Sequence, residues 1–142
     1  MSSLILRKAA RYLFPVIILF SIYALLRGHN DPGGGFVGGL AAASAFVLYE
    51  LAFDVKATKT ILQVDSLSLI GWGLLMACGS GVFSMLSGQA FLTSQWIEIP
   101  ISPEWHIKIG LPLLFDAGVY LVVLGVTLAI ILSLANHRRD RS

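Results

Sequence analysis

Charged residues are scarce in this sequence: Lys, Arg, Asp and Glu make up 13% of its 142 residues, against roughly 25% in a soluble globular domain. With 56% hydrophobic residues and a mean hydropathy of +0.81, that shortage excludes an ordinary soluble fold and points to a membrane protein. Cysteine occurs once, at Cys78. No internal disulfide can form, and inside an apolar run the thiol reads as a small packing residue. His29, His106 and His137 are scattered, and no two His or Cys residues stand at metal-ligand spacing, so no metal site is expected. Nothing resembles an activated serine or cysteine with its base, so the chain is expected to be no enzyme and to need no cofactor. A formal net charge of +2 is too small to argue for nucleic acid.

Long apolar runs are what the sequence has. A hydrocarbon core about 30 Å thick needs roughly 20 mostly apolar residues per helix, and four runs come close: about 12–26, 36–53, 67–87 and 113–134. The expected fold is an all-α membrane protein with four transmembrane helices, residues 1–142 forming a single integral membrane domain. Pro15 and Pro112 read as markers of helix starts, where a missing N–H costs least. A cleaved signal peptide over the first run is the weaker reading, because no small-x-small pattern precedes Gly28 and three more runs follow. Of the ten Lys and Arg residues, eight (Arg7, Lys8, Arg11, Lys56, Lys59, Arg138, Arg139, Arg141) fall on one side of such a bundle and two (Arg27, Lys108) on the other. The positive-inside rule then puts both termini in the cytoplasm. Residues 88–112 become an external loop, with Trp96, Trp105 and Tyr120 as aromatic anchors at the outer interface.

The first two runs are joined by Arg27-Gly28-His29-Asn30-Asp31-Pro32-Gly33-Gly34-Gly35-Phe36-Val37-Gly38-Gly39, in which seven of 13 residues are Gly or Pro. An ordinary linker needs only a few polar residues, so this one reads as a shaped element docked on protein. Gly33 to Gly38 matches G-x-G-x-x-G, with Asp54 downstream, but a spanning helix precedes it where a dinucleotide fold requires a strand. No Gly-Lys-Ser/Thr closes a phosphate loop either. Further on, Gly35, Gly39 and Ala43 recur every four residues with Gly38 and Ala42 beside them, a face on which another helix can approach closely in lipid. That neighbour is either the first or third helix of this chain or another subunit.

Few ionisable groups fall in or near the runs. Asp116 lies about one turn into the fourth; a carboxylate there is either a functional group for ion or proton passage or one favoured by the helix N-terminus in the headgroup layer. Glu50 and Asp54 share a face at the inner end of the second helix, either as the mouth of a cation route or as interfacial carboxylates satisfied by Lys56 and Lys59. His29 either shuttles protons or hydrogen-bonds its own turn.

The element Gly28-His29-Asn30-Asp31-Pro32-Gly33-Gly34-Gly35-Phe36-Val37-Gly38-Gly39, with Tyr49-Glu50-Leu51-Ala52-Phe53-Asp54 and Phe115-Asp116-Ala117-Gly118-Val119-Tyr120, resembles the MnhB/MrpB family, the B subunits of the Mrp (Mnh) multisubunit sodium/proton antiporters, over nearly the whole chain. The resemblance implies a small multi-pass subunit of a complex in the cytoplasmic membrane that exchanges Na⁺ for H⁺, alongside the A, C, D, E, F and G subunits, in contact with membrane lipid. It implies that Asp116 occupies an acidic position of the fourth helix, and that Pro32 and Phe36 belong to the family's Pro-Gly-Gly-Gly-Phe element. No lysine falls inside a predicted span, so the chain is expected to shape or line part of the ion path, with Asp116, Glu50, Asp54 and His29 as candidates. Pro32, Gly33, Gly34, Gly35, Phe36, Gly38, Gly39 and Ala43 are expected to pack against a helix or a subunit. Two alternatives stay open: a scaffold subunit, or the equivalent subunit of a membrane-bound hydrogenase complex.

Overall fold

The computed structural model describes residues 3–28, 34–90, 96–102 and 105–141, as backbone alone between 96 and 109. Its elements are α1 (Leu4–Arg27), α2 (Gly34–Ala52), α3 (Val55–Leu62), α4 (Ser66–Leu86), β1 (Trp96–Ser102), β2 (Trp105–Gly110) and α5 (Leu111–Asp140). The four long helices α1, α2, α4 and α5 are each long and apolar enough to cross a membrane. The fold is the expected multi-pass bundle.

One helix start differs by more than two residues from the sequence expectation. Helix α1 begins at Leu4, not near residue 12, because the Ser3 side chain caps it by accepting the Leu6 N–H at 3.1 Å. Arg7, Lys8 and Arg11 are therefore helical residues. Pro15 lies inside the helix and does not mark its start, and its missing N–H leaves the Arg11 carbonyl without the usual donor. Pro112, by contrast, stands in the first turn of α5, where no N–H is needed. Helix α5 then runs for 30 residues, about 45 Å at 1.5 Å per residue, so its basic last turn projects beyond the hydrocarbon.

Between the second and third spans the chain forms α3, an amphipathic eight-residue helix. Asp54 starts it by accepting the Ala57 N–H at 2.7 Å, and Gln63, with φ of 58°, ends it in the left-handed conformation. Val55 and Thr58 are buried beneath it while Lys56, Lys59 and Thr60 face outward. The connection from α4 to α5 adds a second element not expected from the sequence, an antiparallel hairpin of β1 and β2 that pairs Ile97 with Ile109 and Glu98 with Lys108.

Helices α2 and α5 lie side by side and parallel, and each has an antiparallel neighbour on its far side, giving the order α1, α2, α5, α4. Helix α2 is the most enclosed span, with 44% of it inside the chain against 11% for α1. Ala42, Ala43 and Phe46 of α2 meet Leu124, Leu128 and Leu132 of α5 in the core, with Phe14 and Ile18 of α1 packed alongside. The Phe14 and Phe46 rings meet edge to face at 5.1 Å, the arrangement their quadrupoles favour. Buried hydroxyls are satisfied locally: Ser21 donates to the Ile18 carbonyl at 2.7 Å, Thr58 to Asp54 at 2.9 Å and Ser80 to Ala77 at 2.7 Å. In a medium without water those bonds remove a cost of several kcal/mol per group.

The candidate ion-path site beside the glycine face of α2

Glycines set how closely the helices approach. Were Gly35 to carry a Cβ, that atom would collide with the Asp116 carbonyl oxygen and stand 3.0 Å from its carbon and 3.1 Å from its Cα. One turn on, a Cβ at Gly39 would lie 2.8 Å from the Tyr120 carbonyl oxygen and 2.9 Å from the Val123 Cβ. The four-residue step from Gly35 to Gly39 is thus matched by the step from Asp116 to Tyr120, and this fixes the two helices as parallel and in register. Gly38 faces the other way: a Cβ there would stand 2.8 Å from the Ser21 carbonyl oxygen and 3.3 Å from the Leu25 nitrogen of α1. The small residues therefore form two faces. Both are covered by helices of the same chain, and the inner neighbours are the first and fourth spans rather than the third.

On its opposite side α5 uses the same device against α4, where Gly118 and Gly73 meet backbone to backbone; a Cβ on either would stand 2.6 Å from the other's carbonyl oxygen. Asp116 is thus carried on a helix held by close backbone contact on both flanks. A carboxylate-bearing backbone locked in this way is a positioned group, since neither neighbour can slide without opening a glycine seam.

At this end of the bundle the glycine-rich segment and Asp116 converge. The end of α1 and the start of α2 touch at Gly28 and Gly34, bracketing residues 29–33, and Gly35 rests on Asp116. His29, Pro32 and Gly33 lie outside the described residues. Phe36 and Val37 point outward, away from both helices, and Phe36 is 52% exposed. Tyr120, expected at the outer interface, stands instead inside the bundle. Its ring passes Gly38, and its hydroxyl is 3.0 Å from Ser21 Oγ. Because the single Ser21 proton goes to Ile18, the tyrosine hydroxyl is the donor in that pair. Glycines at 38 and 39 make the room that brings it there. Trp96 and Trp105 have no described side chains.

Glu50 and Asp54 are not part of this site. Glu50 stands fifteen positions beyond Gly35, about 22 Å along the axis of α2, so the three described candidates, Asp116, Glu50 and Asp54, are divided between the two ends. Asp54 faces neither Lys56 nor Lys59 as its ion partner. Its carboxylate caps α3 and lies 3.7 Å from Arg139 of α5. Arg7 donates from Nε to the Ala52 carbonyl at 3.3 Å, which places the first turn of α1 beside the ends of α2 and α5. Both termini therefore sit at the end opposite Asp116. Among the described residues no group of three or more His, Cys, Asp or Glu residues could hold a metal ion.

The fold and this site define a class: a multi-pass helical membrane protein whose spans are clamped by glycine seams on both flanks of the helix that carries Asp116. Residues 5–129 match the model of a domain related to the MnhB subunit of Na⁺/H⁺ antiporters. The chain is 40% identical over 136 residues to the B subunit of the Na⁺/H⁺ antiporter of Alkalihalophilus pseudofirmus, covering 94% of this chain and 93% of that one. It is 43% identical over 132 residues to the corresponding B subunit of Bacillus subtilis, covering 92% and 91%. In a solved structure of the Mrp complex from a Dietzia species, one chain superposes with a TM-score of 0.79 at 34% identity, covering 92% of this chain and 14% of that longer one. The chain belongs to the MnhB family of antiporter subunits.

Proposed function

We propose that this chain is the B subunit of a multisubunit antiporter in the cell membrane, exchanging internal Na⁺ for external H⁺, and that it shapes one stretch of the ion path at Asp116. The observation that carries this reading is the seating of Asp116, an ionisable residue within a span, directly against the glycine-bared start of α2. A charge in a span is costly and marks a functional position by default. The backbone there is held on both sides, which suits a group that must meet a passing cation in a fixed place. A carboxylate can bind H⁺ and Na⁺ by turns, and a charge crossing 100 mV carries about 2.3 kcal/mol, so exchange of this kind needs no nucleotide. The eight basic residues gathered at the end with both termini favour a cytoplasmic position for that end and an outer one for Asp116.

The A, C, D, E, F and G subunits are the proposed partners. Support comes from the outward apolar face of α2, with Phe36, Val37 and Leu40 each more than 40% exposed, and from the Dietzia complex, where the corresponding segment is a small part of a longer polypeptide. The test is Asp116→Asn in the assembled complex, with Na⁺/H⁺ exchange followed in inverted vesicles. Exchange should fall while assembly persists; unchanged exchange in a normally assembled complex would refute the role of Asp116.

The second reading, a scaffold, is favoured by one observation: Gly35 and Gly39 meet α5 through backbone, so the seam holds shape whatever Asp116 does. On that reading Gly39→Leu disperses the complex and Asp116→Asn leaves transport intact.

A further inference from the structure

The end of the bundle that carries both termini holds a cavity of about 710 Å³ between α1, α2 and α5. Its walls divide by chemistry. Val47 and Leu51 of α2 and Ile131, Leu134 and Ala135 of α5 make a lower part that is apolar except for Glu50, and Arg7, Arg138 and Arg139 stand around the upper part with Asp54. The change from Leu134 to Arg138 on α5 takes four residues, about 6 Å along the helix axis. That is the depth over which a bilayer passes from acyl chain to phosphate. The ion-path reading makes no use of this cavity.

We infer that this cavity is a binding site for one anionic glycerophospholipid, of the phosphatidylglycerol class, with its phosphate on Arg7 and Arg138 and the start of its acyl chains against Leu51, Ile131 and Leu134. Three arginines outnumber the two carboxylates, Glu50 and Asp54, that line the same space. Asp54 is moreover engaged by the α3 backbone and by Arg139. Arg7 is held in place by the Ala52 carbonyl at 3.3 Å and by the Phe53 ring, whose centroid is 5.8 Å from its guanidinium carbon. Its fork is thereby oriented before a ligand arrives, and a guanidinium carries five donors arranged to match phosphate oxygens. Glu50 lines the same space half-buried, one residue before Leu51 and so below the level of the phosphate. Basic pockets between spans are where anionic head groups bind. The size lies within the roughly 300–1,000 Å³ usual for small-molecule sites.

The test uses the full chain, purified in detergent and confirmed as folded by circular dichroism, with lipid retention read by native mass spectrometry. Phosphatidylglycerol should be retained over phosphatidylcholine by about fivefold or more, the scale of one cationic contact with an anionic lipid. The double variant Arg7→Gln, Arg138→Gln should lose the preference. Lys8→Gln, which removes an exposed charge from the same end of α1 without lining the cavity, should keep it. Ala135→Phe, which fills the apolar part and leaves every arginine, should also abolish retention, so the outcome does not hang on one variant's folding. Equal retention of the two lipids, a preference for phosphatidylethanolamine, or a preference that survives both cavity variants would overturn the inference. So would competition by soluble glycerol phosphate as effective as by the lipid, which would make this a free-phosphate site. A photo-crosslinker at position 134 that captures another subunit of the assembled complex in place of lipid would overturn it as well.

Discussion

The Asp116 carbonyl rests on the Cα of Gly35, so that the first turn of α2 and the second turn of α5 meet through backbone with no side chain between them. The contact joins the glycine-rich segment after the first span to the acidic residue of the fourth, two features 81 positions apart in sequence. Everything proposed for Asp116 depends on this seam, because a group that handles ions must be held where they pass.

Substitution at the seam tests it most directly. Gly35→Ala puts a methyl group into the Asp116 backbone, which cannot yield as a flexible side chain would, and overpacking of this kind costs about 1–3 kcal/mol. Gly71→Ala, on the open face of α4 where nothing lies within 4 Å, should cost nothing and gain up to about 1 kcal/mol of helix stability. Thermal unfolding of the two variants in detergent should therefore move in opposite directions. Equal melting temperatures would mean that α2 and α5 are not packed this closely.

The hydroxyl pair of Tyr120 and Ser21, 3.0 Å apart, links α5 to α1 across the face of α2. Such bonds between spans are worth only about 0.6 kcal/mol on average, so Tyr120→Phe should lower stability by less than about 1 kcal/mol. Tyr120→Ala removes the ring packed over Gly38 and should cost about 3–5 kcal/mol. If Tyr120→Phe proved as damaging as Tyr120→Ala in unfolding measurements, the hydroxyl would have a part beyond packing, and exchange in vesicles would show whether it is a part in transport.

At the other end, magnitudes decide which of the two Asp54 contacts matters. The pair with Arg139 is 3.7 Å long between side chains 38% and 55% exposed, a class worth about 0–1 kcal/mol. Loss of an N-cap costs typically about 1 kcal/mol, and Asn caps as well as Asp. Asp54→Asn and Arg139→Gln should thus both be near neutral, while Asp54→Ala should lower stability by about 1 kcal/mol and loosen α3. A large loss in Arg139→Gln would reverse the ranking.

The spans were legible because burial in lipid is written in the length of an apolar run. Their limits were less so. Arg7 and Arg11 look like flanking charges, and they can be helical because the Phe53 ring and the Ala52 carbonyl, more than 40 residues away, receive them. Helix α3 is too short to show a period and exists through the Asp54 cap and the burial of Val55 and Thr58. Spacing showed that Gly35, Gly39 and Ala43 share a face; it could not show what the face meets, because periodicity fixes an angle around one helix and says nothing about its neighbours. The same limit hid the placement of Tyr120, whose aromatic character suggested the interface while the space left by Gly38 drew it inward. Asp116 stood out by chemistry alone, and its contact with Gly35 belongs wholly to the tertiary structure.

That contact also separates the two functional readings. Asp116→Asn keeps the size of the side chain and leaves the backbone seam with Gly35 untouched, so the bundle and its docking should survive; only the charge is lost. Gly39→Leu keeps every charge and drives a branched side chain into the Tyr120 carbonyl and Val123, from which a Cβ at that position already stands 2.8 Å and 2.9 Å away. If the chain lines the ion path, vesicles with Asp116→Asn hold the complete complex and lose at least about 90% of Na⁺/H⁺ exchange, as removal of about 1.4 kcal/mol or more of transition-state interaction requires. If it is a scaffold, Asp116→Asn exchanges normally, and Gly39→Leu alone abolishes transport by removing the subunit from the membrane complex. Measuring co-purification and exchange on the same preparations distinguishes the two, because only the ion-path role predicts loss of transport without loss of partners.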